Sequence, residues 1–219
     1  MSPEPPAGVL QIELNGDQTN AYVVGDVLVD AGSKGKQAQR ALAAVAGREV
    51  LAHLITHAHP DHAGGSQLVV DRLGVPVWAG RGDAEAIEAG TPVVGDGIAS
   101  GLLRRFGRFA PQRVERRLQE GDAVADGFTV LEAPGHTPGH LALWRESDRT
   151  LLAIDAFANM NPFTRRRGLQ LLPKPLASDV AQMKESVRRL AALEPAVVHF
   201  GHGAPLRDPA ALKAFAGSL

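Results

Sequence analysis

The stretch Thr56-His57-Ala58-His59-Pro60-Asp61-His62 constrains this chain more than any other. It carries three imidazoles and a carboxylate, the donor types that zinc, manganese and iron(II) accept. The apolar run Val50-Leu51-Ala52-His53-Leu54-Ile55 before it reads as a buried strand, and residues 62–73 after it read as a helix. The cluster therefore sits on a turn leaving a strand and entering a helix, where α/β proteins build their sites. His57 and His59, two apart, point the same way in extended backbone and can grip one ion. Asp61 and His62 lie past the Pro60 bend and can face a second. The alternative is a histidine-rich loop with no metal, which would gather three of the chain's eight histidines without a purpose.

Length and composition bound the class. With 219 residues the chain can bury a substantial core in one large domain or two small ones. A net charge of -1 supplies no field for nucleic acid or an anionic membrane. There is no cysteine, hence no disulfide and no thiolate ligand. The start, Met1-Ser2-Pro3-Glu4-Pro5-Pro6, has neither a basic nor an apolar leader segment, and no run approaches a transmembrane helix. A cytoplasmic protein is expected, with residues 1–8 loose.

Along the chain, strands are expected at 9–14, 20–24, 27–30, 75–79 and 128–132. A hairpin of 141–145 and 150–154 follows, then a buried strand at 196–200. Helices are expected at 37–46, at 83–88 with Asp83 as N-cap, from Ser178-Asp179 to Leu193, and at 209–215. Residues 90–118 show little periodicity and hold six arginines (Arg104, Arg105, Arg108, Arg113, Arg116, Arg117), read as a solvated helix face. This pattern by itself allows only α with β around mixed sheets.

Four separated motifs then agree in order. His57-x-His59-x-Asp61-His62 resembles the signature of the metallo-β-lactamase-fold hydrolases. Gly135-His136-Thr137-Pro138-Gly139-His140 resembles that family's third-ligand motif, Asp155 its bridging aspartate and Gly201-His202-Gly203 its last ligand. The resemblance runs from about residue 20 to residue 205. It implies a single domain over 1–219 in which two mixed β-sheets are flanked by helices, an αβ/βα four-layer sandwich. It also implies that His57, His59 and His136 hold one metal, that Asp61, His62 and His202 hold a second, and that Asp155 bridges them. Asp61 is in addition the expected catalytic residue. The cofactors implied are two divalent ions, zinc foremost, with iron or manganese as alternatives.

The chemistry implied is hydrolysis of a small ester, thioester or lactone by a hydroxide bound between the metals. A glyoxalase-II-like or lactonase-like small member fits best, although only about 17 residues follow His202. Two other readings stay open: a persulfide dioxygenase with one iron on His57, His136 and Asp155, and a nucleic-acid phosphodiesterase. The expected partner is a small-molecule substrate, without nucleic acid or membrane; a homodimer is allowed.

Several further residues are singled out. His140 is expected to orient a ligand or to pack, while His53 and His199 read as core histidines. Asp30 resembles a position that supports the metal loop. The lactone hydrolases of this fold use a tyrosine near the metals, and the single tyrosine here, Tyr22, lies in an early strand. Ile154 stands where the family usually has glycine before the bridging aspartate. After Asp155, the residues Phe157, Met160, Pro162 and Phe163 could wall a substrate, and Arg165, Arg166, Arg167 and Lys174 could hold an anion or form a surface run.

Overall fold

The computed structural model describes residues 8–219, so all but the last residue of the Pro-rich start lies outside the described residues. Strands β1 (Leu10–Glu13), β2 (Asn20–Val24), β3 (Val27–Val29), β4 (Ala52–Ile55), β5 (Val77–Gly80) and β6 (Val114–Leu118) form one sheet in that order. The first three pair antiparallel, and β3 to β6 run parallel. The second half adds β7 (Thr129–Glu132), β8 (Leu141–Arg145), β9 (Thr150–Ile154), β10 (Ala158–Met160), β11 (Arg167–Gln170) and β12 (Val197–Phe200). Its main sheet has the order β12-β9-β8-β7, while β10 and β11 make a separate hairpin. The helices are α1 (Lys36–Ala44), α2 (Pro60–Ala63), α3 (Ser66–Leu73), α4 (Ala84–Ala89), α5 (Ile98–Phe106), α6 (Val180–Ala192) and α7 (Pro209–Gly217).

Side-chain alternation along the strands builds the layers. Tyr22 and Val24 on β2 and Leu54 on β4 point inward and pack on Val130, Leu143 and Leu152 of the second sheet. Ala21, Val23 and Leu28 face the other way, onto Ala41 and Val45 from α1 and its C-terminal end and Val69 of α3. Ala142, Leu151 and Val198 face out under Val187, Leu190 and Leu212 of α6 and α7. The result is the expected helix–sheet–sheet–helix sandwich.

Three local departures have physical reasons. The helix expected over 62–73 is broken into α2 and α3, because a Cβ on Gly64 would lie 2.2 Å from the Pro60 carbonyl oxygen and one on Gly65 2.4 Å from that of Ala31. The chain is pressed against its own backbone there, and the Gly65 N–H donates to Gly32 O at 2.7 Å. Strand β6 escapes the sequence pattern because it is an edge strand with a charged middle. Val114 and Leu118 are buried, while Arg116 covers the Trp78 ring at 4.7 Å. Asp83 does sit at the N-cap position of α4, but its side chain makes no capping bond.

Ile154 ends β9 at φ 50, the left-handed region that a β-branched side chain strongly disfavours. Such a residue costs roughly 1–3 kcal/mol. Its side chain is fully buried in the inter-sheet core, a contribution of comparable size, about 1.5–3 kcal/mol. The left-handed turn at Ile154 is thus held by packing.

His53 is a core histidine: its Nδ1 faces Leu28 O at 3.1 Å and its Nε2 Ser66 Oγ at 2.8 Å. His199 is buried edge-on to Tyr22 at 5.5 Å. Burial, aided by the Arg207 charge, pushes its pKa down to about 4 from 6.5. It folds neutral, so its contribution is intact above pH 6.5 and is lost as pH falls toward 4. At pH 5 the loss is about 2 kcal/mol. Urea melts at pH 7 and pH 5 check this: His199→Gln should lose less stability between the two than the parent, by about that amount, and equal losses would refute it.

Candidate metal centre

Every candidate ligand stands at or just past the end of an element of one sheet or the other. His57 and His59 follow β4, and Asp61 and His62 lie on α2. His136 lies in the β7–β8 loop, Asp155 directly follows β9, and His202 lies two residues beyond β12. All seven meet in one place. His57, His59 and His136 form one group, Asp61, His62 and His202 another, and His57, His62 and Asp155 link them, with ligand atoms within 4.8 Å of one another in each. Asp155 Oδ2 is the hub, 3.8, 3.5, 3.5 and 3.2 Å from Nε2 of His57, His62, His136 and His202.

Hydrogen bonds behind the rings fix their tautomers. His62 donates from Nδ1 to Asp30 Oδ2 at 2.8 Å. Thr56 donates its hydroxyl to the same oxygen at 2.8 Å, so Thr56 Oγ1 accepts from His57 Nδ1 at 3.1 Å. His59 donates from Nε2 to Val93 O, and His202 from Nδ1 to Gln18 O, both at 2.5 Å. The inner nitrogens of His57 and His59 are therefore lone pairs, and those of His62 and His202 become so once a cation takes the place of the proton that Asp155 favours there. His57 Nε2 and His59 Nδ1 face each other at 3.2 Å with no proton to join them. His136 Nε2 stands 2.9 Å from the same His59 nitrogen. Inside the cluster, His62 Nε2 and Asp155 Oδ1 are buried with no hydrogen-bond partner among the described residues. Lone pairs converging on a buried carboxylate are repulsive alone and complementary to divalent cations. The residues present fit a metal site.

Protonation follows the same geometry. Burial and the neighbouring histidines hold His57 and His136 well below the usual imidazole range, and burial lowers His59. Burial also opposes charging His62 and His202, yet Asp155 outweighs it and raises both, joined at His62 by Asp30. Asp155 itself is pushed up by burial but held well below the carboxylate range by His202 and His62. It is the fixed negative charge of the site.

A metallo-beta-lactamase superfamily model matches residues 14–202. The chain belongs to this superfamily. Among relatives, it is 31% identical over 233 residues to the probable metallo-hydrolase YqjP of Bacillus subtilis, covering 90% of this chain and 70% of that protein. It is 29% identical over 159 residues to an N-acyl homoserine lactonase of a Bacillus species, covering 70% and 56%. A crystal structure of TTHA1623 in a di-iron-bound form superposes with a TM-score of 0.64 at 31% identity, covering 91% of this chain and 94% of that one. Among the described residues, no helix is long and apolar enough to cross a membrane.

The surroundings separate supporting residues from bystanders. Asp30 supports the metal loop, accepting also from the Thr56 N–H at 2.9 Å. His140 accepts the Asp155 backbone N–H on Nε2 at 3.1 Å, and burial pushes its pKa down to about 4, which keeps that lone pair free. Tyr22 is fully buried and donates to Phe200 O at 2.6 Å, away from any open face of the site. Phe157 and Met160 are buried rather than substrate-facing, whereas Pro162 and Phe163 line a cavity above His59 and Asp61. Across it stand Pro92, Val94 and Leu103, so part of the 90–118 segment covers the mouth. Arg167 pairs with Asp17 at 2.6 Å, and Arg165, Arg166 and Lys174 are exposed outside the cavity lining.

Asp83 is the residue that sequence reasoning missed. Fully buried, it accepts the N–H of Ala58 at 2.8 Å and of Gly139 at 2.7 Å, tying the His57–His59 loop to the loop of His136. An Asp before a helical segment gives only a capping signal, so nothing local pointed to this clamp. Asp83→Ala leaves two buried donors unpaired and should cost about 1–3 kcal/mol for each in urea melts; a loss below half a kcal/mol, to order of magnitude, would rule the clamp out. Gly201 makes a second requirement visible, since a Cβ there would lie 2.1 Å from Asp155 Oδ1. Gly201→Ala should bind metal about 10- to 100-fold more weakly in chelator competition, with the circular dichroism spectrum preserved.

Proposed function

We propose that this chain is a dinuclear metal-dependent hydrolase of a small ester, thioester or lactone. The observation that carries the reading is the pair of ligand groups sharing one buried carboxylate. His57, His59 and His136 would hold one ion, Asp61, His62 and His202 the other, with Asp155 between them. A carboxylate between two dications offsets their repulsion. TTHA1623, solved with two irons, and the lactonase, named for its substrate, support the number of ions and the reaction class. When bound, the ions supply a water of lowered pKa and a Lewis acid for the scissile carbonyl.

The chain's own residues do the rest. Neutral His57, His59 and His136 offer lone pairs because burial keeps protons off them. The Asp30–Thr56 pair aims the His57 ring and Val93 O the His59 ring, while Asp30 and Gln18 O orient His62 and His202. Asp61 lies at the boundary of cluster and cavity, with Oδ2 3.5 Å from His202 Nε2 and its side chain partly open. With Oδ2 turned to the group that would hold the second ion, its other oxygen would be left to orient the attacking water, hold its proton and release it toward the leaving group. The apolar walls above exclude bulk water from the reacting carbonyl.

A mononuclear iron dioxygenase would use His57, His136 and Asp155 and leave the Asp61–His62–His202 group without a role. Zinc is the first expectation for the metal. Elemental analysis of purified, unreconstituted protein should find about two equivalents of divalent metal per chain. Asp61→Asn and His62→Ala should each lower that figure and remove ester turnover; full activity in both variants would sink the dinuclear reading. One equivalent of iron, with oxygen uptake on persulfide, would turn the assignment to the dioxygenase.

A further inference from the structure

The cavity above the cluster has a composition that the reaction class alone does not dictate. Its volume is about 230 Å³. Pro92, Val94, Leu103 and Leu176 form one side, with Pro162 and Phe163 opposite. The polar side chains in its lining are His59, Asp61 and Ser33, and no lysine or arginine lines it among the described residues. Arg165 and Arg166 are exposed outside the lining, and three other nearby arginines are engaged elsewhere. Arg104 donates to the carbonyls of Val94 and Gly95 at 3.4 and 3.3 Å, and Arg108 to Ala89 O at 3.2 Å. Arg167 is held by Asp17. An anionic group at the end of the cavity away from the cluster would find no lysine or arginine in the lining, while an alkyl group would lose water against seven apolar side chains, Pro60 included.

We propose that this cavity is an acyl-chain subsite that selects uncharged, apolar acyl groups of up to about six carbons, since its volume holds about eight units of roughly 30 Å³ and the ester group itself takes about two of them. Leu103 and Phe163 are its specificity-determining residues. The inference rests on the hydrolase reading for its reaction and on the cavity alone for its selectivity. Leu103 is suited to the role because it projects from α5 into the cavity while touching none of the candidate ligands' hydrogen bonds. Phe163 is 63% exposed at the tip of the β10–β11 hairpin, an unfavourable place for an aromatic ring unless something apolar lies beside it.

Two measurements on metal-loaded protein test this. The first is calorimetric binding of the straight-chain alcohols from propanol to octanol, which needs no turnover. Affinity should rise about fourfold per methylene and flatten near hexanol. Leu103→Arg should abolish the rise, and Leu103→Trp should move the plateau to shorter chains. The second is kcat/KM for the p-nitrophenyl esters of acetate, butyrate, hexanoate and octanoate against mono-p-nitrophenyl succinate. Butyrate should exceed the succinate hemiester by at least about tenfold, and Leu103→Arg should narrow or reverse that ratio. A flat alcohol series in the parent protein, a preference for the hemiester, or a series unchanged by both Leu103 variants would overturn the proposal. A rising alcohol series with no ester turned over would keep the subsite and reject the hydrolase. Turnover indifferent to chain length would do the reverse.

Discussion

Asp30 is fully buried at the end of β3, and a carboxylate there is tolerable only if its oxygens are satisfied. They accept from the Thr56 amide, the Thr56 hydroxyl and the His62 ring. Those three bonds decide where the chain goes after β4. They anchor the first residue of the metal loop and the last, and they set the His62 proton on the outer nitrogen. Through Thr56 they also set the His57 tautomer. Asp30 holds φ 59, a conformation that aspartate accepts more readily than most side chains, so its backbone and its carboxylate serve the same turn. Asp83 repeats the device on the far side, with backbone amides in place of side chains. Two buried carboxylates outside the cluster thus shape the loops that present it.

The sandwich puts this framework to use. Ligands come from loops and turns that leave β4, β7, β9 and β12, strands drawn from both sheets. Packing of Tyr22, Leu54, Leu143 and Ile154 between the sheets fixes the relative position of those strand ends. The cavity is then closed by segments that belong to neither sheet, the 92–107 region and the β10–β11 hairpin. Superfamily membership is written in the first set of residues. The proposed selectivity of this chain rests on the second.

That division explains what could be read from the sequence. The candidate cluster that the fold gathers was legible because metal chemistry restricts residue type and spacing, and because His57, His59, Asp61 and His62 fall within six residues. The hairpin of β8 and β9 and helix α6 were legible because burial imposes periodicity on them. Asp179, where the helix was expected to begin, caps α6 by accepting the Gln182 N–H at 3.0 Å. The clamp of Asp83 was not legible, since its partners lie 25 and 56 residues away and are backbone amides that carry no sequence signal. Nor was the break at Gly64-Gly65, which depends on the approach of Ala31. The basic run at 165–167 could be read as an anion site or as a surface run because charge is visible in a sequence, whereas the direction in which an arginine points is not; the structure leaves it on the surface.

The positions gathered at the cluster are far apart in the chain: residue 57 and residue 202 bound most of its length, with 136 and 155 between. This chain has no cysteine, so no covalent bridge ties these segments together. Coordination would do it instead, closing long loops in the way a set of disulfides does and removing the same kind of freedom from the unfolded chain. The cross-link is reversible and responds to free metal concentration through mass action. Resistance to proteolysis and to heat would then rise and fall with the metal supply of the surroundings.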